Sequence, residues 1–248
     1  AREKHEAEVR MRGELRRRRQ QMLYSTKLDG CMPRVELASG HSMPLVGLGT
    51  WKSDASTAEE RRRAAHQVRV SVECAVKFGY RHIDCAENYQ NEGDVGEALE
   101  TVYSHGAVSR ADLFITSKLW NTDHAAARVR AACEKSLRLL GVDYLDLYLI
   151  HWPVTGNRGA GVSPSIRETW GAMEALVDAG LVRAIGVSNF STKKVAAILE
   201  YARIRPSVVQ VECHPYCRND ELIAWCAREG IHVTAHSPLG SPDSAGLL

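Results

Sequence analysis

The sequence lacks any run of eighteen or more apolar residues, although 44% of its 248 residues are hydrophobic, so no segment reads as a membrane-spanning helix. It also lacks an apolar segment followed by a small-residue cleavage site near its start, the mark of a secretory signal. An even set of cysteines is missing. Cys31, Cys74, Cys85, Cys133, Cys213, Cys217 and Cys226 make seven, scattered through apolar or helical contexts. That distribution fits reduced thiols in an intracellular protein better than a disulfide framework. Metal-ligand spacing is missing too: "CHPYC" (213–217), with Cys226 and His232 nearby, matches no common zinc pattern. The expectation is a cytoplasmic protein with no disulfide, no metal and no membrane contact.

Net charge is small, +2 overall, and its distribution is uneven. Residues 1–30 carry nine Lys/Arg against five Asp/Glu, which gives this arm +4 and leaves −2 for the rest. The arm favours helix by propensity but has no continuous apolar stripe, and "RRRR" (16–19) is a like-charge block of the kind found in interaction tails. A transit peptide would be poor in acids, whereas Glu3, Glu6, Glu8 and Glu14 stand here. We read residues 1–30 as a charged, basic N-terminal arm that could dock a protein partner. The slightly acidic body argues against nucleic acid as the ligand.

Beyond the arm, residues 31–248 read as one α/β domain. "RVELASGHSMPLVGL" suggests two short strands around a Ser-Gly turn. Seven apolar runs follow: "LVGLGTW", "RHIDCA", "LFITSKLW", "LDLYLIHW", "AIGVSNF", "SVVQVECHP" and "HVTAHSPLG". Helical periodicity lies between them, as in "ARVRAACEKSLRLLG", where Val129, Cys133, Leu137 and Leu140 share a face and Gly141 supplies the stop. Ser191 and Asn219 stand where helix caps are expected. Runs apolar on both faces, alternating with helices, imply a parallel sheet covered by helices. A doubly wound sheet should open with G-x-G-x-x-G, and "GLGTWKS" lacks the third glycine. A (β/α)8 TIM barrel remains, because polar and aromatic residues cluster at the ends of the runs, where a barrel gathers them at one mouth.

Four of these residues suit one chemistry. Asp84 ends the second run, Tyr89 follows in its loop, Lys118 ends the third and His151 ends the fourth. A phenol titrates near pH 10 and is a poor acid at neutrality, but a neighbouring ammonium is expected to lower that value, and an aspartate would keep the ammonium charged and aimed. Tyr89 then becomes a general acid, and His151 can donate a hydrogen bond to a carbonyl oxygen. With no metal cluster and no obvious nucleophile, hydride is the natural attacker.

On these residues, and on "MPLVGLGTW", "GYRHIDCAENYQNE", "FITSKLWNTDH", "DLYLIHWP", "GLVRAIGVSNF", "VQVECHPY" and "SPLGSPD" in that order, the chain resembles the aldo-keto reductases over about residues 33–248. The resemblance implies that Asp84, Tyr89, Lys118 and His151 form a catalytic tetrad for NADPH-dependent reduction of small aldehydes and ketones to alcohols. It implies that Ser188, Asn189 and Gln210 bind the nicotinamide carboxamide. Ser237, Leu239, Ser241 and Asp243 would lie on the loop over the pyrophosphate, and Gly49, Thr50 and Trp51 on the first-strand loop. Trp51, Trp120 and Trp152, with His151, would line the carbonyl pocket. His236 stands where the family places the tyrosine that stacks on the nicotinamide, so weaker cofactor binding is expected. The resemblance also implies that the eighth strand and the C-terminal segment, with the 2′-phosphate site, are absent from this chain. The alternative reading is a scaffold component of a larger assembly that keeps the fold with little or no catalysis.

Overall fold

The structure is a computed structural model and describes residues 32–51, 57–155 and 164–240, together with Met11 and Glu14. The basic arm, apart from those two residues, lies outside the described residues, as do Ser241 and Asp243.

A short antiparallel hairpin comes first, β1 (Arg34–Glu36) paired with β2 (Ser42–Pro44). Seven parallel strands follow, paired strictly in chain order: β3 (Leu48–Gly49), β4 (His82–Asp84), β5 (Phe114–Leu119), β6 (Leu145–Ile150), β7 (Val182–Ser188), β8 (Val208–Glu212) and β9 (His232–His236). One helix fills each interval: α1 (Ala58–Lys77), α2 (Glu92–Ser104), α3 (Ala126–Leu140), α4 (Ile166–Asp178), α5 (Thr192–Leu199) and α6 (Asp220–Arg228). The strand runs read from the sequence are thus all present. Among the described residues, no strand pairs with the outer edges of β3 and β9, and no helix is long and apolar enough to cross a membrane.

The sheet is rolled, and one contact proves it. In a flat sheet β4 and β8 would stand four strand spacings, ~19 Å, apart. Instead the Gln210 amide on β8 donates to Asp84 Oδ2 on β4 at 2.7 Å. Alternation divides the strands accordingly: on β6, Leu147 and Leu149 face the barrel interior, while Tyr148 and Ile150 pack outward under the helices. Leu37 and Met43, flanking the hairpin turn, join Phe114, Leu147, Ala184 and Val208 in the interior cluster. Phe114 and Val208 open their strands, so the hairpin plugs the N-terminal end of the barrel and leaves the C-terminal end as the mouth.

Local rules account for most helix ends. On α3 the anticipated face of Val129, Cys133, Leu137 and Leu140 is buried, and Gly141 ends the helix in the left-handed region at φ 66°. Thr57 and Ser165 form capping boxes with Glu60 and Glu168. Ser191 and Asn219 do occupy N-cap positions, but neither side chain makes a cap hydrogen bond. Asn219 instead donates its amide to the Glu212 carbonyl at 2.7 Å, tying its turn to the end of β8.

Candidate active site

Strand geometry brings the anticipated residues to the mouth. Asp84 is the last residue of β4, Lys118 is the penultimate residue of β5, and His151 directly follows β6. Tyr89 ends a 3₁₀ turn, Glu87–Tyr89, that rises from β4 and leads into α2.

Lys118 is fully buried, and each of its three N–H bonds has an acceptor. These are Asp84 Oδ1, the Cys85 carbonyl at 2.9 Å and the Tyr89 hydroxyl at 3.2 Å. Burial works against the ammonium, but Asp84 and Tyr89 outweigh it and hold the lysine above its ordinary range. For Asp84, burial pushes upward, yet the charge of Lys118 and the hydrogen bonds from Lys118 and Gln210 leave the carboxyl below the usual range. The Asp84 carbonyl accepts from both the Thr50 amide and the Thr50 hydroxyl at 3.0 Å.

The phenol departs from expectation. Burial is the largest influence on Tyr89 and raises it, Lys118 pulls the other way, and the balance lies above the ordinary tyrosine value. The lysine does lower the phenol, as the sequence reading supposed, but not below its ordinary value, because desolvation of a phenolate costs more than the nearby cation returns. What Lys118 also does is orient. Because the Tyr89 oxygen accepts from the ammonium, its own O–H is left to donate elsewhere.

His151 stacks edge-on against Tyr89, with ring centroids 5.9 Å apart, and against Trp120 at 5.1 Å. Burial, aided by the Lys118 charge, lowers it to about 3, so it is a neutral imidazole across the physiological range. Its Nδ1 is buried with no partner among the described residues. Trp152 stacks at 6.4 Å from it. Trp51 and Trp152 remain 44% and 42% exposed, an uncovered apolar surface beside the polar cluster.

The other predicted positions divide. Ser188 ends β7 and Asn189 follows in the left-handed region at φ 63°. Asn189 donates to the His151 carbonyl at 3.0 Å and to Ser188 Oγ at 3.1 Å, and its oxygen meets His236 Nε2 at 3.2 Å. Gln210 gives one amide hydrogen to Asp84 at 2.7 Å. His236 ends β9 and also meets Ser237 Oγ at 3.3 Å. Leu239 is 92% exposed. Gly49 closes β3, and a Cβ there would meet nothing within 4 Å.

Sequence reasoning missed the supports of the site. Asn91 is buried and donates to the Thr50 carbonyl at 2.7 Å, and Glu92 is buried beneath the turn. The signal was available in "YQNEG": consecutive polar residues entering a buried helix face require partners.

Residues 45–244 match the sequence profile of the Aldo/keto reductase family. The chain is 48% identical over 224 residues to aldo-keto reductase family 1 member A1 of Rattus norvegicus and, likewise, to that of Homo sapiens. Each alignment covers 85% of this chain and 66% of the relative, so the chain spans about two thirds of the length of these curated relatives. Among solved structures it is similar to a Bombyx mori aldo-keto reductase in complex with NADP, with TM-score 0.76 and 38% identity over 83% of this chain and 66% of that one. It is also similar to the aldose reductase from Schistosoma japonicum, with TM-score 0.75 and 40% identity over 87% and 74% of the two chains.

Proposed function

This chain belongs to the aldo/keto reductase family, and from that premise we propose that it reduces small aldehydes and ketones to alcohols with NADPH, Tyr89 acting as the general acid. The observation that carries the reading is the arrangement of Lys118 hydrogen bonds: an ammonium anchored by Asp84 and the Cys85 carbonyl, with its third hydrogen on the phenol oxygen.

The mouth suits the cofactor on its own chemistry. A nicotinamide carboxamide needs donors and acceptors side by side, which Ser188, Asn189 and Gln210 supply. Thr50, Trp51 and Gly49 would flank it from β3, the His236 ring would lie against it, and Ser237 and Leu239 would carry the loop toward its phosphates. Ser241 and Asp243 complete that assignment from outside the described residues. The Bombyx mori relative was solved with NADP, and we carry that preference to this chain. When bound, the reduced nicotinamide supplies the hydride.

The chain's own residues do the rest. Trp51, Trp120 and Trp152 offer apolar walls for a carbonyl compound. His151, neutral, donates from Nε2 in the tautomer that leaves Nδ1 unprotonated, and so orients the carbonyl oxygen. Tyr89 gives its proton to that oxygen, and the phenolate formed is held by Lys118, whose positive charge Asp84 secures. A general acid contributes about 10² to 10⁴ in rate. Tyr89→Phe should therefore reduce turnover of a generic aldehyde by about that factor, while NADPH binding, followed by cofactor fluorescence, stays unchanged. Unimpaired turnover in this variant would remove Tyr89 from the acid role.

A further inference from the structure

Glu92 is 2% exposed and forms no ion pair among the described residues. Lys135 acts on it electrostatically but spends its ion pair on Glu87, and an apolar residue would fill the same space with less penalty. The position of Glu92 has a different logic. Oε1 accepts from Ser117 Oγ at 2.6 Å and Oε2 from Ser136 Oγ at 3.0 Å, and both serines are fully buried. Ser117 is the outward neighbour of Lys118 on β5, and Ser136 lies on α3. Glu92 itself opens α2, three residues after Tyr89.

The turn that carries the phenol is thus tied down at several points. Glu87 pairs with Lys135 of α3 at 2.8 Å, Asn91 reaches the Thr50 carbonyl at 2.7 Å, and Glu92 joins the exit of the turn to β5 and α3 together. We propose that Glu92 is a positioning residue for the proton donor. Through Ser117 it fixes the spacing between the Tyr89 turn and the strand that carries Lys118, and so keeps the phenol oxygen 3.2 Å from the ammonium. The inference rests on Tyr89 being the acid in the proposed reduction. Burial, with the Glu87 charge, raises the Glu92 carboxyl, and the two serine hydroxyls and the Lys135 charge oppose that rise, in keeping with a group retained for its geometry.

The test compares Glu92→Gln, Glu92→Ala and Ser117→Ala with the parent protein. Gln keeps the length and can still bond both hydroxyls, so its turnover should stay within about threefold of the parent. Glu92→Ala and Ser117→Ala should lower kcat by about 10- to 100-fold, the scale of a displaced catalytic group, while the KM for aldehyde and the Kd for NADPH move less than about twofold. Phenol ionisation followed at 295 nm, with Tyr89→Phe as the reference for the Tyr89 contribution, should shift in both variants and not in Glu92→Gln. Should Glu92→Ala fail to fold, Ser117→Ala and Glu92→Gln still decide. If the truncations lower only the melting temperature and leave kcat and the Tyr89 titration unchanged, Glu92 is merely structural and the proposal falls. A parent protein without carbonyl turnover would overturn the reductase reading instead, and the titration would still report on the positioning.

Discussion

Lys118 is the residue on which the site turns, because its three hydrogens leave no choice about where Asp84, Cys85 and Tyr89 must stand. The pairing of a carboxylate, an ammonium and a phenol was legible in the sequence from their places at successive strand ends. The direction of the phenol's shift was not, since it depends on how much water the fold removes from Tyr89. In the cofactor-free protein Tyr89 should therefore titrate above the ordinary value of about 10. Spectrophotometric titration of the parent against Tyr89→Phe measures it directly, and a Tyr89 step below that value would show that the lysine outweighs desolvation after all. Gln210 carries a similar lesson: its family role at the nicotinamide was inferred from motif order, but its bond to Asp84 spans 126 positions in the chain and no periodicity announces it.

At the scale of elements, α2 matters most, since it begins with Glu92 and holds the Tyr89 turn against the barrel. Its packing depends on Gly96, where a Cβ would run into the carbonyl oxygen of Leu139 at the end of α3. Gly186 on β7 is confined in the same way by the Val208 carbonyl of β8. Neither constraint can be read from a local pattern, because the obstructing backbone belongs to a different element. Gly96→Ala should cost about 1 to 3 kcal/mol in urea unfolding, whereas Gly49→Ala, which meets nothing within 4 Å, should stay within about 0.5 kcal/mol. Equal stability for both variants would show that α2 and α3 are not held at this distance. The helices themselves were more legible: the apolar face of α3 and its Gly141 stop came from spacing alone. The caps were less so, because Asn219 is drawn to the Glu212 carbonyl rather than to its own helix.

For the whole molecule, alternation of buried strands with helices gave the parallel architecture, and the incomplete glycine fingerprint in "GLGTWKS" turned the choice toward a barrel. The rolled sheet then explains why residues between Thr50 and His236 converge at one end, while the hairpin with Leu37 and Met43 closes the other. That polarity is what makes carbonyl reduction the central claim: apolar indoles, a phenol held by an ammonium and amide groups stand together at the mouth. The claim is tested most directly by following the hydride. The protein is incubated with an aldehyde and NADPH deuterated at the transferable position of the nicotinamide, and the product is examined by NMR. The account predicts an alcohol with deuterium on its carbinol carbon, formed by the parent protein and lost in Tyr89→Phe; no deuterated alcohol from the parent, or equal amounts from both, would contradict it.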